Sequence, residues 1–170
     1  MFLTIFLLPL IGSIFGGFGG KTFGPKGSSF LTVISIATTF LLSFSAFIYV
    51  CGEGTSVIVT ICPWIVSGSF NLYWSLLFDT LTVVMLNVVC FISLLVHIYS
   101  TEYMSHDPHL PRFMSYLSLF TFFMIILVTG DNFIQLFVGW EGVGLCSYLL
   151  INFWFTRIQA NKAAIKAMVL

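Results

Sequence analysis

Phe137-Val138-Gly139-Trp140-Glu141-Gly142-Val143-Gly144-Leu145-Cys146 decides how the chain is read. It lies within an apolar run from about Phe133 to Phe155, and Glu141 is the one charge between Asp131 and Arg157. A bilayer hydrocarbon core about 30 Å thick takes roughly 20 apolar residues as a helix, so this run is long enough to cross. A carboxylate at that depth costs about 2.5–3.5 kcal/mol on insertion scales, and Leu, Val or Phe carries no such cost. An acid kept there points to the handling of protons or ions. The alternative is a protonated glutamate hydrogen-bonded to a neighbouring helix.

The rest of the chain agrees with a membrane setting. Of its 170 residues 59% are hydrophobic and 7% charged, against roughly 25% charged in soluble domains. Formal net charge is zero with no run of Lys or Arg, so the electrostatic footprint of a nucleic-acid binder is missing. Cys51, Cys62, Cys90 and Cys146 form no CxxC or Cys/His cluster and carry no metal or iron–sulfur signature. Cys51 and Cys62 flank one loop and pair only if that loop faces an oxidising space. The start, Met1-Phe2-Leu3-Thr4-Ile5, has no basic n-region. We therefore expect no cleaved presequence, and synthesis in the compartment where the chain inserts.

Uncharged stretches predict an all-α membrane protein in a single membrane domain, 1–170. Complete spans are expected at about 2–18, 28–50, 76–99, 113–128 and 133–155, with a sixth helix starting over 162–170. Between the second and third, residues 54–73 break the pattern. Val57-Ile58-Val59-Thr60-Ile61 favours a strand, Pro63 and Gly68 interrupt it, and Trp64, Tyr73 and Trp74 are interfacial aromatics. This segment reads as a short β-hairpin or amphipathic loop at the membrane surface. Gly12-x-x-x-Gly16 is either a close-packing seam or a glycine-rich helix end. With five spans, all six basic residues (Lys21, Lys26, Arg112, Arg157, Lys162, Lys166) fall on one side. That side is then the cytoplasm or matrix, opposite the N-terminus and the 54–73 loop.

The chemistry-bearing candidates are few. Helical spacing puts Leu145, Tyr148 and Asn152 on the face of Glu141, beside a stripe of Asn132, Gln135, Gly139, Gly142 and Cys146. Glu141 is therefore expected to face the bundle interior, where a moving positive charge switches its protonation. Asp79, at the start of the third span, is either a second proton site or a helix cap. His97 titrates in the useful range or makes an interfacial hydrogen bond near a helix end. Lys166 faces the interior or snorkels. Arg112, Arg157 and Lys162 read as orientation anchors, and His106 and His109 as loop residues. Asp131 or Asn132 caps the fifth span.

Taken together, these residues resemble a known family. Phe78-Asp79-x-Leu81-Thr82-x-x-Met85, His97-x-Tyr99-Ser100-x-x-Tyr103-Met104, Gly139-Trp140-Glu141-Gly142-Val143-Gly144-Leu145-Cys146-Ser147-Tyr148 and Gln159-Ala160-Asn161-Lys162-Ala163-Ala164-x-Lys166-Ala167 are similar to chain 5 of NADH–ubiquinone oxidoreductase, respiratory complex I. The resemblance implies an antiporter-like, proton-translocating subunit of the membrane arm, mitochondrially encoded and multi-pass in the inner membrane. Glu141 then pairs with a lysine of a later helix, and Lys166 matches a lysine kept in the family. NADH, FMN, iron–sulfur clusters and ubiquinone belong to other subunits. The implied partners are a chain 4 type antiporter-like subunit, a second polypeptide carrying the rest of chain 5, and lipids such as cardiolipin. Family members run to several hundred residues, so a split subunit, a structural remnant and a bacterial cation/proton antiporter subunit are all readings of a chain of this length.

Overall fold

The computed structural model describes residues 1–169, and of Lys21 the backbone alone. The order is α1 (Phe2–Phe18), α2 (Gly20–Glu53), β1 (Val57–Ser67), β2 (Phe70–Phe78), α3 (Thr80–Tyr103), α4 (Leu110–Thr129), α5 (Phe133–Ile151) and α6 (Ile158–Val169). Four helical segments, Thr22–Glu53, α3, α4 and α5, are long and apolar enough to cross a membrane, and α1 is an apolar helix of 17 residues. Among the described residues the all-α membrane class with a β-hairpin therefore stands, with four helices of full spanning length and a shorter apolar α1 where five complete spans were expected.

Local chemistry explains most element ends. Asp79 begins α3 by accepting the Thr82 backbone N–H at 2.7 Å. Asn132 does the same for α5, accepting from Gln135 N–H at 2.8 Å, so Asn132 rather than Asp131 is the cap. The stretch left between the expected spans 2–18 and 28–50 is helical on both sides of a break at Gly24, whose φ of 70° only glycine adopts readily. Pro25 restarts the helix, its missing N–H falling where no intrahelical partner exists.

Several boundaries depart from the sequence reading. Residues 76–78 are strand, not helix, because Leu76 and Phe78 are fully buried and pair across the hairpin with Val59 and Val57. The α3–α4 loop is shorter than 100–112, because α3 runs on to Tyr103 and α4 starts at Leu110 with Pro111 in its first turn. The fifth span stops at Ile151, short of Phe155. There the Phe153 ring turns in to meet Phe113 edge-on at 5.2 Å, and Trp154 Nε1 donates to Asp107 at 2.9 Å, so these side chains draw the backbone out of the helix. After that turn α6 begins at Ile158, four residues before the expected 162.

Small residues bring the helices together, as membrane interfaces require where no hydrophobic force acts between helices in lipid. Gly12 and Gly16 form a true seam. A Cβ at Gly12 would collide with the Ser35 side chain, and one at Gly16 would lie 2.6 Å from Thr32 Cγ2. Helix α4 sits at the centre, touching α1, α2, α3 and α5. The apolar core gathers Ile5 and Phe6 of α1, Ala46 and Val50 of α2, Val83, Leu86 and Cys90 of α3, and Phe122, Ile125 and Ile126 of α4. Leu76 and Phe78 close it at one end. There Phe2 stacks obliquely on Phe78 at 4.7 Å. The hairpin's far arm is solvent- or headgroup-facing, with Trp64 edge-on to Trp74 at 4.9 Å. Cys51 and Cys62 are free and exposed.

Helix α5 meets α4 through Gly139 and Gly142. A Cβ on Gly139 would sit 2.7 Å from the Leu127 backbone nitrogen and 2.8 Å from its Cα, while Gly144 has nothing near it. Gly139→Ala must push two backbones apart and is expected to destabilise the chain by about 1–3 kcal/mol. Gly144→Ala, which gains helix propensity without a clash, is expected to be neutral or slightly stabilising. Thermal unfolding in detergent micelles checks both, and an unchanged midpoint for Gly139→Ala contradicts the α4–α5 contact.

Candidate functional site

Glu141 is the ninth residue of the nineteen in α5, close to its midpoint. At 1.5 Å per residue it lies about 12 Å from the helix start. The face of α5 buried against α4 carries Gln135, Gly139, Gly142 and Cys146. This is the stripe that the sequence placed beside Glu141. The carboxylate itself points the other way: Glu141 is exposed, alongside exposed Phe137, Trp140 and Leu145. The expectation that it faces the interior of this bundle is therefore corrected. The two glycines let α4 approach on one side only, and a charged side chain cannot share that contact. An exposed acid halfway along an apolar helix is costly in hydrocarbon and needs a polar or cationic neighbour on that face.

The other candidates lie apart from it. Asp79 is at the hairpin end, half-buried, with its carboxylate engaged as the α3 cap. His97 is fully buried in α3, its Nδ1 2.7 Å from the Ser93 carbonyl oxygen. Lys166 and Lys162 are exposed on α6, and Ala164 supplies the buried face of that helix. Glu141, Asp79, His97 and Lys166 thus sit on three different helices and at a helix cap. Among the described residues no group of three or more His, Cys, Asp or Glu is gathered as a metal site.

The structure brings out polar contacts that single residues did not announce. At the hairpin end Ser75 Oγ donates to Asp131 at 2.8 Å, Ser75 N–H to Gln135 Oε1 at 3.2 Å, and Asn132 Nδ2 to the Tyr73 carbonyl at 3.0 Å. These bonds latch β2 onto the α4–α5 turn, where Leu76 also bridges Gly130. Between α2 and α3, Asn87 Nδ2 donates to the Ser43 carbonyl at 3.2 Å while Ser43 Oγ donates to Asn87 Oδ1 at 3.2 Å. An Asn or Gln inside an apolar run was the available signal for both. At the opposite end Arg112 stacks on Phe153 and Arg157 on Trp154, each 5.2 Å from the ring centroid. The Trp154 indole N–H, then the His109 backbone N–H and the nearby His109 and Arg112 charges, hold the Asp107 carboxyl below its usual range.

The ends of the bundle are chemically distinct. Phe2 lies beside Tyr49 and Phe78, so the chain start, the α2 end and the hairpin share one end. Glu53, Asp79 and Asp131 belong to that end. Gly20 abuts Pro111 at the other, which carries Lys26, Arg112 and Arg157.

Comparison with known proteins gives the family. A family model described as NADH-ubiquinone oxidoreductase (complex I), chain 5 N-terminus, matches residues 64–114, and one described as NADH:quinone oxidoreductase/Mrp antiporter, TM, matches residues 130–170. The chain belongs to the complex I chain 5 family. It is 61% identical to NADH-ubiquinone oxidoreductase chain 5 of Phytophthora infestans, over 99% of this chain and 26% of that protein. The protein of the same name from Arabidopsis thaliana is 59% identical over 99% of this chain and 25% of its own length. That from Marchantia polymorpha is 58% identical over the full chain and 25% of its length. The chain therefore spans about a quarter of the length of these chain 5 relatives.

Two outcomes test the geometry. Asp79→Asn keeps a capping oxygen and leaves α3 intact, whereas Asp79→Ala costs about 1 kcal/mol, read by thermal unfolding; equal loss in both shows that charge rather than capping matters there. Asp107 has a folded pKa below its unfolded value, so its clamp on Trp154 is complete above about pH 4 and is lost as pH falls through the lower folded value. Hydrogen exchange of the Trp154 indole rises over that fall, and Asp107→Asn removes the pH dependence.

Proposed function

We propose that this chain serves in the membrane arm of a proton-translocating NADH:ubiquinone reductase, with Glu141 as a proton-carrying carboxylate. One observation carries the reading. An apolar helix holds a carboxylate at its midpoint, turned away from its own bundle and outward to whatever packs on α5. In hydrocarbon that position is tolerable only if the acid is protonated or matched by a cation. A lysine presented by a neighbouring helix stabilises the ionised form, and withdrawing it favours the protonated form. Alternation between the two moves a proton when the cation's position is driven from elsewhere.

The setting of this reading is the mitochondrial inner membrane. The end bearing Lys26, Arg112 and Arg157 faces the matrix by the rule that basic loops stay on the side of synthesis, and the hairpin end faces the intermembrane space. NADH, FMN, iron–sulfur clusters and ubiquinone are held by other subunits in this reading. The open face of α5 takes further chain 5 sequence, a chain 4 type subunit lies alongside, and lipids such as cardiolipin meet the basic end. Lys166, exposed one helix on, is a candidate to extend the path.

Glu141→Gln tests this directly, since the amide keeps the shape and removes the titration. In the assembled complex, proton pumping is expected to fall at least about tenfold with NADH oxidation chemistry in the other subunits still intact. Assembly should survive, because Glu141 makes no contact that builds α5 onto α4. Pumping at the parental rate in an assembled Glu141→Gln complex ends the proposal and leaves an anchoring role.

A further inference from the structure

We infer that His97 is a second proton-accepting site, inside the α1–α4 bundle and separate from Glu141, and that Nε2 is the atom that takes the proton. The inference deepens the proton-translocation reading and rests on it for its role. Its chemistry stands on the geometry of α3 and α4.

A full hydrogen-bond account identifies the reactive nitrogen. His97 Nδ1 lies 2.7 Å from the Ser93 backbone oxygen. A carbonyl only accepts, so Nδ1 carries the hydrogen and, in the neutral ring, Nε2 carries the lone pair. Thr121 donates its hydroxyl hydrogen to the Leu117 carbonyl at 3.1 Å. The 2.6 Å contact between Ser93 Oγ and Thr121 Oγ1 is then Ser93 donating to Thr121. That turns the Ser93 oxygen lone pairs toward Nδ1–H, 3.3 Å away. Every hydrogen in this set is assigned and the ring is pinned from one side, across two helices.

Nε2 is what remains. It is buried, and among the described residues it has no hydrogen-bond partner. His97 as a whole has 0% exposure. A buried polar atom without a partner costs about 1–3 kcal/mol, a cost that Phe or Leu at the same place avoids. A lone pair held in this way suits a donor that comes and goes.

The surroundings hold no fixed partner for a charged ring, and burial disfavours the imidazolium, so protonation at Nε2 requires a water or another donor to reach it. The buried faces of α1, α2 and α4 carry hydroxyls and hydrocarbon: Ser13, Thr32, Ser35, Thr39, Ser118 and Thr121 among the polar groups. Among the described residues the one other fully buried titratable side chain in α1–α4 is the Cys90 thiol, two turns back along α3. No carboxylate among the described residues is buried there to hold an imidazolium permanently; a buried cationic atom on these helices is Nε of Arg112, in the first turn of α4. Ser93 and Thr121 also line an apolar groove of about 520 Å³ between α3, α4 and α5, so the pinned side of the ring lies one hydroxyl from that groove. The step is a simple protonation. A hydrated proton adds to Nε2, giving an imidazolium with N–H on both nitrogens and leaving water. Return of the proton to water restores the neutral ring, and no electron moves.

His97→Asn in the complex containing this chain is the test, because the Asn amide can still donate to the Ser93 carbonyl while offering no basic nitrogen. Pumping is expected to fall roughly tenfold, short of the hundredfold or more that a positioned acid–base group often supplies, since water substitutes in part. Glu141→Gln is measured beside it. Loss in Glu141→Gln with parental pumping in His97→Asn overturns the His97 inference alone. Parental pumping in both overturns the proton-translocation reading as well. If His97→Asn does not assemble, the unaltered complex decides by cryo-electron microscopy at water-resolving quality. A water at about 2.7–3.2 Å from Nε2 is expected, and hydrocarbon closing over that nitrogen overturns the inference.

Discussion

Hydrocarbon offers no hydrogen-bond partners, and the rest of this structure follows from that constraint. Most buried hydroxyls are satisfied, most often by a carbonyl of their own helix one turn back. Thr32 bonds Ser29, Ser35 bonds Thr32, Thr39 bonds Ser35 and Thr129 bonds Ile125. Once satisfied in this way, Ser and Thr act as small residues, and small residues are what allow helices to approach without a hydrophobic drive. The α1–α2 seam at Gly12 and Gly16 and the α1–α4 contact, where Ser118 donates to the Pro9 carbonyl at 2.8 Å, are both built this way.

The same constraint separates two kinds of polar group. Those that tie elements together are spent structurally: Asn87 with Ser43, Gln135 with Ser75, Asp131 with Ser75, Asp79 with the α3 start. Two are not spent. Glu141 stands at mid-helix on the open side of α5, and His97 keeps one nitrogen without a partner in the interior. In a medium that penalises every unmet polar group, Glu141 and His97 are among the costly ones. The hairpin belongs to the first kind: its base plugs the core with Leu76 and Phe78 and its bonds hold the α4–α5 turn, so it orients the helix that carries Glu141.

Much of this was legible in the residues. The apolar runs marked the helices, and Val57–Ile61 followed by Pro63 and Gly68 marked the hairpin. What was not legible depended on side chains far apart in sequence. Residues 76–78 read as helix because their composition is apolar, and they became strand because Val57 and Val59 lie opposite them. The α5 end moved because Phe153 and Trp154 found Phe113 and Asp107, some forty residues earlier. The facing of Glu141 was misjudged for a related reason. Helical spacing correctly grouped Gln135, Gly139, Gly142 and Cys146 into one stripe and Glu141 into another, but spacing alone does not say which stripe a neighbour takes.

By itself the sequence determined that the chain belongs in a membrane, roughly where its helices run, and that one acid lies midway along an apolar helix, because these depend on local composition. Only the tertiary structure decided which stripe of α5 meets α4, that Asp79 is occupied as a cap, and which nitrogen of His97 is left bare. Those outcomes depend on close approach between distant segments, where a missing Cβ or a single carbonyl determines what each side chain can still do.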